Sequence, residues 1–172
     1  MIIGCVLAWA GATGHAETYQ SPDAFVAEMF SGSTPPAQAL WIDPELRSQL
    51  PEVLGHRPGL RVRYWGADGR TVWILEEVGK DHPITAGVAI EAGSIAEIRV
   101  LVFRESRGWE VKYPFFTRQF HQAKLTKHGL SQNIDGITGA TLSVHAMKRM
   151  ARAALLLHDQ TNHANTALAA AK

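Results

Sequence analysis

The chain of 172 residues holds a single cysteine, Cys5. One thiol cannot build a disulfide framework, a cysteine-based zinc site, an iron–sulfur cluster or a Cys-x-x-Cys-His haem attachment. Neither sign of charge is in excess, with 17 Lys and Arg against 16 Asp and Glu. Without a basic surplus there is little to displace counterions from a phosphate backbone, so nucleic acid is not the expected partner. No apolar run is long enough to cross a bilayer as a helix. No Gly-x-Gly-x-x-Gly follows a strand pattern, which argues against a nicotinamide site. The eight histidines show no metal-binding spacing, and no metal is assigned. His145, four residues after Thr141, reads as a solvated helix residue.

What is present suits one globular domain with at most a small appendage: 46% of residues are hydrophobic and 19% charged. Ile2 to Ala12 is apolar and small, and Gly14-His15-Ala16 puts small residues at the −3 and −1 positions of a cut after Ala16. The pattern predicts a signal peptide over residues 1–16, although no Lys or Arg marks its start.

Ser21 followed by Pro22, and Asp43 followed by Pro44, each give an N-cap and an N1 proline, so two short helices are expected, ending near Phe30 and Gly55. The period then changes. Arg61–Trp65 and Thr71–Leu75 flank the turn Ala67-Asp68-Gly69, and Ala86–Glu91 and Ile95–Phe103 flank Ala92-Gly93-Ser94; both read as hairpins. Ile98, Val100 and Val102 should face one way, with Arg99, Leu101 and Phe103 on the other. Tyr113–Ala123 reads as a helix, with Phe116 and Phe120 four residues apart. Leu142–His158 is the clearest helix, carrying Met147, Met150, Ala151, Ala154 and Leu155 on one stripe and Lys148, Arg149 and Arg152 on a solvated face. The five tryptophans read as core. The fold class is α+β: a twisted antiparallel sheet of hairpins packed with helices.

One stretch carries chemistry. Asp135-Gly136-Ile137-Thr138-Gly139-Ala140-Thr141-Leu142-Ser143 places two glycines and three hydroxyls directly before the strong helix. Glycine allows positive φ and close ligand approach, and a helix start offers unpaired N–H groups and a positive dipole end, so the spot favours a phosphate or another anion. The plainer alternative is that a threonine there is an N-cap, contributing about 1 kcal/mol.

Asp135-x-x-Thr138-Gly139-Ala140-Thr141 resembles the flavinylation motif of the FMN-binding domain family, which includes flavin subunits of the sodium-translocating NADH:quinone reductase and of the Rnf complex. The segment Glu105-Ser106-Arg107-Gly108-Trp109, with aromatic residues after it, is similar to that family's Glu-(Ser/Thr)-x-Gly segment, and the likeness extends from about Lys80 to Leu157. The resemblance implies FMN joined to Thr141 by a phosphoester, installed by a Mg²⁺-dependent FMN transferase that uses FAD and releases AMP. The expected cofactor-binding residues are Thr138 and Ser143, as hydrogen-bond partners of the phosphate, Gly139 and Ala140, small enough for it to sit close, Gly136, and Asp135, which caps the turn or is read by the transferase, while Glu105, Ser106, Gly108 and Trp109 are candidates to line the ring. Trp109 is there for stacking, core packing being its alternative. Glu105 would disfavour anionic reduced flavin and lower its potential.

The expected organisation is a signal over 1–16, unassigned helices and a first hairpin over 17–79, an FMN-binding domain over 80–158, and a flexible tail over 159–172. The function implied is a periplasmic, exported electron carrier, associated with the inner membrane through a redox complex or a cytochrome partner. The competing readings are a small FMN-dependent reductase with its own substrate, and a non-covalent phosphate-binding module.

Overall fold

Alternating polar and apolar residues build one sheet. In the computed structural model, which describes residues 16–56 and 59–170 (side chains of 162–170 excepted), the strands are β1 (Glu17–Thr18), β2 (Ala37–Trp41), β3 (Arg61–Ala67), β4 (Arg70–Val78), β5 (Pro83–Glu91) and β6 (Ser94–Phe103). All pairings are antiparallel and the order across the sheet is β1-β6-β5-β4-β3-β2. Both expected hairpins are present, and the fold is α+β as the sequence predicts. Residues 17–79 supply four strands of the same sheet that β5 and β6 complete. A separate two-stranded ribbon, β7 (Leu125–Thr126) with β8 (Gly129–Leu130), lies further along the chain. Neither β1, β2 nor this ribbon is expected from the sequence: β1, β7 and β8 have two residues each, and on β2 only Leu40 is buried, so no period shows.

Helices cover both faces. The α1 helix (Pro22–Met29) is capped by Ser21 Oγ, which accepts the Ala24 N–H at 3.2 Å, and α2 (Pro44–Val53) by Asp43 Oδ1, which accepts the Leu46 N–H at 2.8 Å. On one face, Phe25 and Val26 of α1 pack on Val72, Ala89 and Leu101. Phe25 lies flat on the sheet because residue 87 has no side chain; a Cβ there would stand 2.4 Å from the ring. Arg99 on β6 holds α1 from the side with two bonds to Glu28, at 2.8 and 3.0 Å. The other face is covered by α2 and by α4 (Thr141–Ala170), whose Met147, Met150, Ala151, Ala154 and Leu155 are all buried on Trp73, Ile84, Val88 and Ile98. Each large apolar side chain so buried contributes about 1.5–3 kcal/mol.

The facing of β6 departs from simple alternation. Thr85 pairs with Val102 but Ala86 with Val100, so Leu101 is an extra residue in a bulge. Beyond it the sides exchange: Phe103 joins Ile98 and Val100 in the α4 core, while Val102 packs with Leu101 against α1. The bulge thus sets the direction in which β6 leaves the sheet toward residues 104–108.

Several expectations need correcting. Tyr113–Ala123 is not one helix. It is α3 (Pro114–Thr117) between two 3-10 turns, Trp109–Lys112 and Arg118–Phe120. The chain must return to β6, where Gln122 N–H donates to Ile95 O and Ile95 N–H to Ala123 O, and that pulls the segment out of helical geometry. Phe116 and Phe120 are nonetheless fully buried, packed edge to face at 5.4 Å. Not every tryptophan is core: Trp73 is fully buried, whereas Trp41 is 67% and Trp109 44% exposed. The last helix does not stop near His158; it runs from Thr141 to Ala170, in keeping with the high helix propensity of its alanines. Residues 1–15 of the expected signal lie outside the described residues.

A polar network is buried where α4 crosses the sheet. Trp73 Nε1–H donates to Thr71 Oγ1 at 2.9 Å, and Thr71 Oγ1 lies 2.8 Å from His158 Nδ1. With Trp73 as donor, the threonine proton is free for His158, an arrangement that suits neutral imidazole. Burial holds the His158 pKa below its ordinary 6.5, against a smaller opposing pull from Asp159. The unfolded ring therefore gains its proton at higher pH than the folded one, and between those points the unfolded chain binds more protons. This contribution is complete above pH 6.5 and is lost as pH falls through that window. Thermal unfolding from about pH 7 to about pH 5 should show a falling midpoint, with a shallower slope in His158→Gln; an unchanged slope would place the acid sensitivity elsewhere.

Candidate functional site

Three pieces of chain meet at one end of α4. The first is the turn between β4 and β5. Glu105 Oε1 accepts the backbone N–H of Lys80, of Asp81 at 2.7 Å and of His82 at 2.9 Å, and Gly79 N–H donates to His82 O. One carboxylate oxygen thus pins the turn that carries Lys80.

The second piece is the loop after β6. Gly108 has φ +84°, which L side chains rarely adopt, and a Cβ on it would stand 2.5 Å from Ser143 Oγ and 3.4 Å from Ala140 Cβ. Glycine is required on both counts. Its backbone lies directly against the first turn of α4, and the 3-10 turn that follows buries Val111.

The third piece is the loop into α4. Asp135 N–H donates to Gln119 Oε1 at 2.7 Å, and Asn133 Nδ2 donates to Asp135 Oδ1 at 3.2 Å. Ala140 N–H donates to Ile137 O, closing a turn over Thr138 and Gly139. Ala140 O then accepts the Val144 N–H at 2.9 Å, so Ala140 is the N-cap and Thr141 is the first helical residue. The N-cap alternative for Thr141 is therefore replaced. Alanine has no oxygen with which to cap. Among the described residues no acceptor meets the N–H groups of Thr141, Leu142 or Ser143. The helix start presents these donors, and its positive dipole end, uncovered.

Together the pieces enclose a cleft of about 520 Å³ lined by Lys80, Glu105, Ser106, Arg107 and residues 139–143, within the range of small-molecule sites, roughly 300–1,000 Å³. Thr141 is exposed at its mouth and Ser143 is buried in its wall. Arg107, exposed at the cleft, makes no hydrogen bond or ion pair among the described residues. Among the described residues the Lys80 ammonium meets only Asp81, at 3.4 Å, in an exposed pair of little energetic weight. Two cations, the Glu105 carboxylate and a helix N-terminus thus line the cleft at whose mouth Thr141 stands.

Of the residues picked from the sequence, Glu105, Ser106, Gly139, Ala140, Thr141 and Ser143 line the cleft. Gly108 stands behind it as the packing contact with Ser143. Asp135, Gly136 and Thr138 are exposed on the approach loop and Trp109 beside Gly108, none of them among the lining residues. The exposure of Trp109 excludes its core-packing alternative. Glu105 differs in role: Oε1 is turned to three N–H donors of the β4–β5 turn, so its first task is to hold that turn. Lys80, Arg107 and Leu142 are lining residues that sequence reasoning missed. Lys80 is 25 residues from Glu105, and only strand pairing brings them together; no local pattern announces it.

The model of a family described as the FMN-binding domain matches residues 79–156. The match begins at the Glu105-braced turn and ends within α4, so it contains every lining residue of the cleft. No curated protein matches the chain.

The contact at Gly108 generates a stability prediction. Gly108→Ala places a Cβ against Ser143 at a positive φ and should cost about 1–3 kcal/mol, read as a lower midpoint in urea unfolding. Ala substitution at Gly69, whose φ is also positive but with nothing within 4 Å, should cost less, since strain acts there without the clash.

Proposed function

Residues 79–156 form an FMN-binding domain, with FMN as its cofactor, and from this premise we propose that the protein is an exported electron carrier holding FMN as a phosphoester on Thr141. The observation that carries the reading is Ala140 at the N-cap: the first N–H groups of α4 lack an acceptor, and the exposed Thr141 hydroxyl stands among them in a cleft with Lys80 and Arg107. An anion at a helix start gains about 0.3–1 kcal/mol from the dipole, more where partly buried. A phosphoester at Thr141 Oγ1 would supply the acceptors that alanine does not.

The resemblance to the flavinylation motif supports the covalent form. Thr141 Oγ1 would form the bond to the FMN phosphorus of FAD while the pyrophosphate bond breaks, AMP leaves and the hydroxyl proton passes to the transferase. A secondary hydroxyl is a weak nucleophile, and Asp135, six residues earlier and bonded to Asn133 and through its N–H to Gln119, is a loop brace, so activation belongs to the transferase and its metal. When bound, FMN supplies one- and two-electron redox chemistry. The chain's own residues that would hold the phosphate are the first N–H donors of α4 with Lys80 and Arg107. They also offer apolar surface for the ring: Trp109 and Leu142 are 44% and 45% exposed. A cofactor tethered at a surface cleft suits relay to a membrane redox complex or a cytochrome. The apolar run before Glu17 supports export to the periplasm.

The test is the mass of one peptide. After co-expression with an FMN transferase, tryptic peptide 128–148 should gain the mass of FMN minus water, located on Thr141 by fragmentation. Thr141→Ser should retain the flavin and Thr141→Ala should lose it. Full flavin content in Thr141→Ala would overturn the covalent assignment, and sustained turnover of a small substrate without a protein partner would overturn the carrier role.

A further inference from the structure

A second cleft, of about 430 Å³, opens on the flank of α4 and is lined by residues 128–134, Lys148 and Arg152. It shares no lining residue with the cleft at Thr141. Positions 141, 145, 148 and 152 fall on one face of the helix, and Arg152 lies about 16 Å along the axis from Thr141. The loop 128–134 forms the facing wall, and Lys148 Nζ fixes it by donating to Ile134 O at 2.9 Å.

Arg152 is the unusual member. Arg70, Arg99, Arg104 and Arg149 are partly buried arginines, and each meets a carboxylate: Glu91, Glu28, Glu76 and Glu77. Arg152 is also partly buried, and its Nε, like that of Arg149, is buried with no partner among the described residues; unlike Arg149, its guanidinium makes no hydrogen bond or ion pair there at all. Gly129 lies close beneath it; a Cβ there would stand 3.9 Å from Nε. Among the described residues no carboxylate lines the cleft; its other charged or titratable side chains are Lys148 and His128. A buried donor left unmade is costly, and a planar guanidinium answers best to an oxyanion that accepts two parallel bonds.

We propose that this cleft binds a small oxyanion, a carboxylate or phosphate group, on Arg152 with Lys148. Binding would brace the loop 128–134 that leads directly into Asp135. The proposal does not rest on the flavin reading, because the two clefts are separate.

Titration of the full ¹⁵N-labelled chain with inorganic phosphate, and separately with succinate, at constant ionic strength in chloride, tests it by NMR. Saturable shifts are expected on residues 128–134 and 152 with at least one of the two anions, and which one saturates assigns phosphate or carboxylate. Arg152→Gln should weaken binding about tenfold or more, given the usual worth of a charge-assisted bond. Arg152→Lys keeps the charge and the stem but not the fork, and should weaken it about threefold; it serves if the glutamine variant does not fold. Shifts that rise linearly without saturating, that persist equally in the variants, or that are confined to residues 139–143 would each overturn the proposal.

Discussion

The contact between the Gly108 backbone and the first turn of α4 is the constraint on which the site depends. It brings the exit of β6 within van der Waals reach of Ser143 and Ala140, and it works only because residue 108 has no side chain and sits at φ +84°. Two other features make it possible. The Leu101 bulge turns the end of β6 toward the helix, and the apolar stripe of α4 fixes the helix on the sheet, so its N-terminus has one place to land. Glu105 then gathers the β4–β5 turn onto the same spot. A cleft made of three distant segments is thereby held by one close approach and one carboxylate.

The helix start is not built for helix stability. Ser21 and Asp43 show that this chain uses side-chain caps where a helix only has to begin. At α4 the N-cap is Ala140, buried at 3% exposure, and the helix forgoes about 1 kcal/mol of capping. The long stripe buried on the sheet offsets that loss many times over. A residue small enough to pack against Gly108, and without an oxygen to occupy the first N–H groups, leaves those donors for a ligand. Poor local capping beside strong tertiary packing is the pattern of a functional helix terminus.

Much of this was legible in the sequence, for identifiable reasons. Proline after Ser21 and Asp43 marks helix starts by geometry that any chain must obey. The two hairpins announce themselves through period and turn residues. The motif at 135–141 is visible because glycines and hydroxyls stand in order before an amphipathic run. What was not legible depends on contacts distant in sequence. The bulge at Leu101 is a matter of pairing with Thr85 and Ala86, so alternation alone put Phe103 on the wrong side. The aromatic segment after Gly108 has helical spacing, but its backbone must rejoin β6 at Ile95. Lys80 and Arg107 look like ordinary surface charges until the fold brings them to the cleft that Thr141 also lines.

The same distinction governs the charges. A count of 17 against 16 says that the molecule carries no surplus of basic over acidic side chains. It does not say that the charges are evenly placed. Arg70, Arg99, Arg104 and Arg149 each neutralise a carboxylate and tie one element to another, so they are part of the scaffold. Arg107 and Arg152 have no such partner among the described residues, and both stand in clefts beside α4. In a chain whose total is nearly neutral, each unpaired cation implies a carboxylate left to other work elsewhere, such as Glu105 on the N–H groups of the β4–β5 turn. Glu105 holds backbone donors in place of a cation, which leaves Lys80 and Arg107 to face the cleft without a strong anionic partner. The two cations in the cleft at Thr141 therefore reflect how the fold distributes its acids, and not any excess of base.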